Sequence, residues 1–211
     1  MHRSIFLLLS LVIASCSTKK QAEEQSVEIA QEIEAVGIEK PIQESPKNTE
    51  PIPKEVMDMD SVWLNDQIPF TSTPDQVKEV LGKPDSVTTS NYECGAYIAG
   101  EEHWGDVVEL MHFQGTRIVT FKDETKLMSI KVREWDCKLH HPKIILSGYT
   151  TLDELREVFP KSVGKSYHWE NVRDGKTYRL VRIAPKPTWD DEWILKFLDN
   201  TLVEIEYWTP C

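Results

Sequence analysis

Two nine-residue stretches decide how this chain is read: Thr73-Pro74-Asp75-Gln76-Val77-Lys78-Glu79-Val80-Leu81 and Thr151-Leu152-Asp153-Glu154-Leu155-Arg156-Glu157-Val158-Phe159. Thr, Asp, an aliphatic residue, Glu, Val and an apolar residue recur in the same order at an offset of 78. Each stretch predicts a helix start. The threonine can accept from the amide three residues on while Gln76 or Glu154 reaches back, a reciprocal capping box, and Pro74 suits a first turn where its missing N–H costs nothing. Val77, Val80 and Leu81, like Leu155, Val158 and Phe159, recur at helical spacing. Gly82 with Pro84, and Pro160, stop the helices.

Outward from these helices the echo continues. Phe121-Lys122-Asp123-Glu124-Thr125 is matched by Phe197-Leu198-Asp199-Asn200-Thr201, and Leu127, Ile130 and Val132 by Leu202, Ile205 and Tyr207. Strands are predicted near 86–98, 106–113, 116–121 and 127–134, and near 165–172, 176–184, 192–198 and 202–208. In the last strand of each set, Met128, Ile130 and Val132 oppose Ser129, Lys131 and Arg133, and Val203, Ile205 and Tyr207 oppose Glu204 and Glu206. That alternation describes an antiparallel sheet with one covered and one wet face. The expected fold is α+β: two tandem repeats, 58–136 and 137–211, each a short helix followed by a four-stranded meander, with the helices on one face of the sheet.

The N-terminus reads as an address. Arg3 precedes an apolar run over 5–14, too short for a bilayer core that needs about 20 residues. It ends in Ile13-Ala14-Ser15-Cys16, so 1–15 reads as a signal peptide. The four residues resemble the bacterial lipoprotein processing box, which implies cleavage before Cys16 and lipidation of that cysteine. More than one acyl chain makes a stable anchor. Residues 16–57 follow as a tether rich in Glu, Lys, Gln, Ser and Pro with no aromatic residue; such a segment buries too little apolar surface to offset its ordering entropy and is expected to be disordered. Forty such residues span about 35 Å as a flexible coil.

The capped helix, the Leu81-Gly82-Lys83-Pro84 stop, the meander through Phe121 and the run Leu127-Met128-Ser129-Ile130 resemble the periplasmic lipoprotein domains of the SmpA/OmlA outer-membrane assembly type. Two such units in tandem resemble the arrangement of the beta-lactamase inhibitor protein. The resemblance implies a non-catalytic module that holds other proteins on an open sheet face and its loops, in a lipid-anchored cell-envelope protein of the outer membrane that faces the periplasm or the cell surface.

Composition narrows the partners. Of the 211 residues 28% are charged, with 24 Lys+Arg against 35 Asp+Glu and a net charge of -11. Nucleic-acid binders gather cations to displace counterions, so nucleic acid is not expected, and an acidic chain predicts a partner with a basic surface. The candidate surface is aromatic and acidic: Trp104, Trp189, Asp190, Asp191, Trp193 and Trp208, because exposed Trp anchors interfaces. Cys94, Cys137 and Cys211 are odd in number for an oxidising compartment. Cys137 and Cys211 each follow the last strand of a repeat, which favours their pairing and leaves Cys94 buried or free. A rival reading makes Cys137, His140 and His141, with Cys94, a metal site or an enzyme centre, since thiolate and imidazole suit zinc. Adjacent histidines do not easily share one ion, and neither His112 nor His168 sits in a motif that would make it a base for a nucleophilic thiol. No metal, cofactor or catalytic residue is therefore expected.

Overall fold

A computed structural model of the chain describes residues 54–91 and 105–210. These residues belong to one compact unit. The strands are β1 (Trp63–Leu64), β2 (Ile68–Pro69), β3 (Thr71–Ser72), β4 (Ser86–Asn91), β5 (Val107–Phe113), β6 (Thr116–Phe121), β7 (Glu124–Ile130), β8 (Leu139–His141), β9 (Ile144–Leu146), β10 (Tyr167–Asn171), β11 (Lys176–Ile183), β12 (Glu192–Leu198) and β13 (Thr201–Trp208). The helices are α1 (Pro74–Leu81), α2 (Leu152–Val158) and α3 (Pro160–Gly164), with a 3-10 turn at Met59–Ser61.

Local chemistry sets the helix starts as expected. The Gln76 amide donates to Thr73 Oγ1 at 3.3 Å and the Thr73 amide to Gln76 Oε1 at 3.0 Å. The second box repeats this with Glu154, at 3.2 and 2.7 Å. Two-residue turns carry the chain between strands where the sequence places polar or glycine residues. Gln114 and Gly115 have φ of 46° and 84°, and Asp199 and Asn200 have 50° and 65°, the left-handed geometry that matches strand twist. At Gly115 a Cβ would also lie 2.7 Å from the Lys131 side chain.

The expected α+β architecture of two helix-plus-meander repeats is corrected by the structure. The protein is mostly β. A nine-stranded antiparallel sheet runs β10-β11-β12-β13-β7-β6-β5-β4, with β3 paired on β7, and a second sheet runs β2-β1-β8-β9. The helices hold eight, seven and five residues, too few to cover a sheet face. Their place is shared with the second sheet, whose Leu64, Ile68, Leu139 and Leu146 enter the same hydrophobic cluster as Val77, Leu155, Leu195 and Ile205. Nor is there a seam at 136/137: β13 pairs with β7 at Ile205 and Ile130, and β8 pairs with β1 at Leu139 and Leu64.

The alternation also breaks in two places. The register of β6 against β7 skips Met128, and that of β12 against β13 skips Val203. Each is a bulge, in which one extra residue shifts the side-chain parity. Leu127 and Leu202 are therefore the core residues, while Met128 and Val203 are half-exposed.

The folded part also begins before residue 58. Met57 is fully buried, its amide donates to Ala184 O at 2.9 Å, and Val56 bridges Ala184 in parallel. Glu55 accepts from the Lys161 and Ser162 amides at 3.0 and 2.8 Å. Residues 54–58 form a strap across the end of β11. Residues 1–15, and the tether as far as 53, lie outside the described residues.

Candidate functional site on the open sheet face

One face of the nine-stranded sheet carries the core; the other bounds a concavity of about 830 Å³. The strand period delivers its side chains. On β12 Trp193, Leu195 and Phe197 go to the core, so Lys196 and Leu198 go to the open face; on β13 Glu204 and Glu206 do the same.

The middle of this face is a ladder of paired charges. Lys196 Nζ lies 3.1 Å from Glu204 Oε2 and 2.7 Å from Glu206 Oε2, Arg117 lies 4.0 Å from Glu206, and Arg117 Nε donates to Ser129 Oγ at 3.1 Å. Burial disfavours the Lys196 charge, but the Glu206 hydrogen bond and the nearby Glu204 outweigh it and hold the ammonium above the usual lysine range. Groups so paired and half-buried form a fixed floor.

Free groups and aromatic surface lie around that floor. Trp169 on β10 faces Tyr178 on β11 with ring centres 6.1 Å apart, and the tryptophan is 39% exposed. The Tyr178 hydroxyl donates to Asp174 Oδ2 at 2.6 Å, and this bond to a carboxylate pushes the phenol up to about 12. Arg133, Arg173 and Lys176 line the same concavity and make no ion pair among the described residues. Six cationic side chains line the face against four anionic ones, so its sign runs opposite to the net -11 of the chain.

The aromatic-acidic surface expected from sequence is not brought together. Trp193 is 1% exposed; its indole N–H donates to Met57 O at 2.8 Å and its ring meets Phe70 and Tyr207 edge-on at 5.5 and 5.0 Å. Strand parity places it in the core beside Leu195. Asp191 is also 1% exposed, with Oδ2 accepting from the Tyr207 hydroxyl at 2.7 Å. Trp189 is half-buried against the core. Asp190 is exposed. Trp208 keeps an exposed ring edge with the Arg182 guanidinium 5.4 Å from its centre. Trp104 lies outside the described residues.

The Cys/His set is likewise dispersed. His140 and His141 are neighbours on β8, so they leave opposite faces: His140 Nδ1 lies 2.6 Å from Asp66, while His141 packs against Phe159 at 6.0 Å. Cys137 is a buried free thiol; burial raises its pKa to about 11, which leaves little thiolate to bind a metal or attack a substrate at neutral pH. Cys16, Cys94 and Cys211 lie outside the described residues, and with Cys211 the expected disulfide partner. Among the described residues no three His, Cys, Asp or Glu side chains are grouped to hold a metal ion. His112 accepts or donates at 3.0 Å to Thr88 Oγ1, and His168 is exposed on β10.

Sequence reasoning placed Lys131, Arg133, Glu204 and Glu206 on the face away from the core, but took Ser129, which is buried beneath Arg117, as wet and did not find Trp169, Tyr178 or Arg173 as companions. The available signal was the Trp169, Asn171 period before the Asp174-Gly175 turn, which pairs Trp169 with Tyr178 in a hairpin. No known protein family, curated protein or solved structure matches the chain.

Proposed function

We propose that this is a lipid-anchored cell-envelope protein, non-catalytic, which binds a partner protein on the open face of its nine-stranded sheet. Cys16 carries the lipid, the tether lets the domain stand off the outer membrane, and the domain faces the periplasm or the cell surface. The observation that carries the binding role is the Trp169–Tyr178 pair beside Arg133, Arg173 and Lys176, which make no ion pair among the described residues, over a floor of paired charges. Rigid aromatic area flanked by charge is the composition of interface hot spots. The local excess of cations favours an acidic patch on the partner, in contrast to the basic partner that net charge alone suggests.

The test is site-specific photocrosslinking in intact cells. A photoreactive residue at position 169 is expected to give a discrete adduct, which Arg133→Glu with Arg173→Glu abolishes without lowering the melting temperature. The same residue at Ile145, exposed on β9 of the second sheet, should give none. Equal adducts from both positions, or none from 169, would reject the face. Fractionation of a Cys16→Ser variant into the soluble phase checks the anchor separately.

A further inference from the structure

A second cavity, of about 510 Å³, lies between the strap, α3, the end of β11 and the start of β12. Its size falls within the range of small-molecule sites. Several of its polar groups are already used. Glu55 accepts the two α3 amides, Lys54 Nζ donates to Trp189 O at 3.1 Å, and Arg182 Nε lies 3.0 Å from Glu192 Oε2.

Glu192 Oε2 meets Arg182 as an ion pair only, without an aligned hydrogen bond, and three further groups on the wall make no ion pair among the described residues. Asp191 is 1% exposed, and while its Oδ2 takes the Tyr207 hydroxyl, its Oδ1 has no hydrogen-bond partner. A buried carboxylate oxygen without a donor is an unfavourable arrangement that a bound donor would relieve. Lys161 and Lys165, both exposed on or just after α3, line the cavity and make no ion pair among the described residues. The wall therefore offers a recessed acceptor and, apart from it, two ammonium groups.

We infer that this cavity binds a small zwitterion of amino-acid to dipeptide size, its ammonium directed to Asp191 and its carboxylate to Lys161 and Lys165. Either charge alone would satisfy only one end of the site. A carboxylate by itself leaves Asp191 Oδ1 orphaned, and an amine by itself is opposed by the two lysines. The binding is independent of the open sheet face, which lies on other residues of the sheet.

Calorimetric titration of the full chain in detergent with glycylglycine tests this. Binding is expected, with methylamine and acetate each at least about tenfold weaker, the loss of one charge-assisted contact. Asp191→Asn should weaken glycylglycine by about tenfold or more. Lys161→Gln, at an exposed position where folding is not at risk, should weaken glycylglycine and, by removing one opposing ammonium, tighten methylamine. No binding of glycylglycine at tens of millimolar would overturn the inference, with a bound water then the occupant of the Asp191 pocket; so would unchanged affinity in both variants.

Discussion

Asp191 shows how a single residue's environment can reverse its expected role. Burial pushes its carboxyl above the usual aspartate range, the Tyr207 hydrogen bond pulls the other way, and the neighbouring Asp190 adds to the rise. Around it stand Tyr207 from β13, Glu192 and Arg182 from β12 and β11, Glu55 from the strap and Lys161 and Lys165 from the α3 segment. A carboxyl whose folded pKa is raised holds its proton more tightly folded than unfolded. Its contribution to stability is then fully present below the unfolded pKa and fades as pH rises through the folded one. Denaturant melts from pH 4 to pH 7 should show this as a downward slope that Asp191→Asn flattens; identical slopes would mean that Asp191 titrates normally. Cys137 makes the companion case: its thiol, raised to about 11 by burial, is a core residue in a position where spacing suggested a disulfide or a ligand.

At the scale of elements, the helices α1 and α2 are each shorter than a peptide needs to be helical alone. Their caps therefore matter. Thr151→Ala removes the acceptor of the Glu154 amide and the partner of its carboxylate, and is expected to cost about 1 kcal/mol in denaturant unfolding, with Thr151→Ser close to wild type. A loss below a few tenths would show that α2 is held by packing of Leu152 and Leu155 alone. The strands behave differently. Their alternation was legible along most of their length, and the turns at Gln114-Gly115 and Asp199-Asn200 fall where composition puts them. The bulges at Met128 and Val203 were not legible, because a two-residue period assumes an unbroken pleat and the extra residue is visible only in the pairing with β6 and β12.

Across the whole molecule, the largest difference from expectation is that nothing separates two halves. Strands from each side of residue 137 pair with one another in both sheets, and one hydrophobic cluster runs through them. The strap extends that cluster to Met57, which supplies the acceptor for Trp193 Nε1 and is itself fully buried. Met57→Ala is expected to cost about 2 to 5 kcal/mol, the range for emptying a core site of this size, and to red-shift tryptophan emission as water reaches Trp193. A loss under 1 kcal/mol would show that the strap only rests on the domain. The strap is thus fastened to α3 by Glu55 and just past the end of β11 by Val56 and Met57.

By itself the sequence determined the features that depend on near neighbours: the capping boxes at Thr73 and Thr151, the glycine and asparagine turns, and the strand alternation away from the bulges. Each is fixed by chemistry within about four residues. Only the tertiary structure decided that the strands merge into one sheet backed by a second, that Trp193 and Asp191 are inside, and that Trp169, Tyr178, Arg133 and Arg173 meet on one surface. Those outcomes turn on pairing between strands far apart in the chain and on a parity that one extra residue reverses, and neither is written in any local stretch.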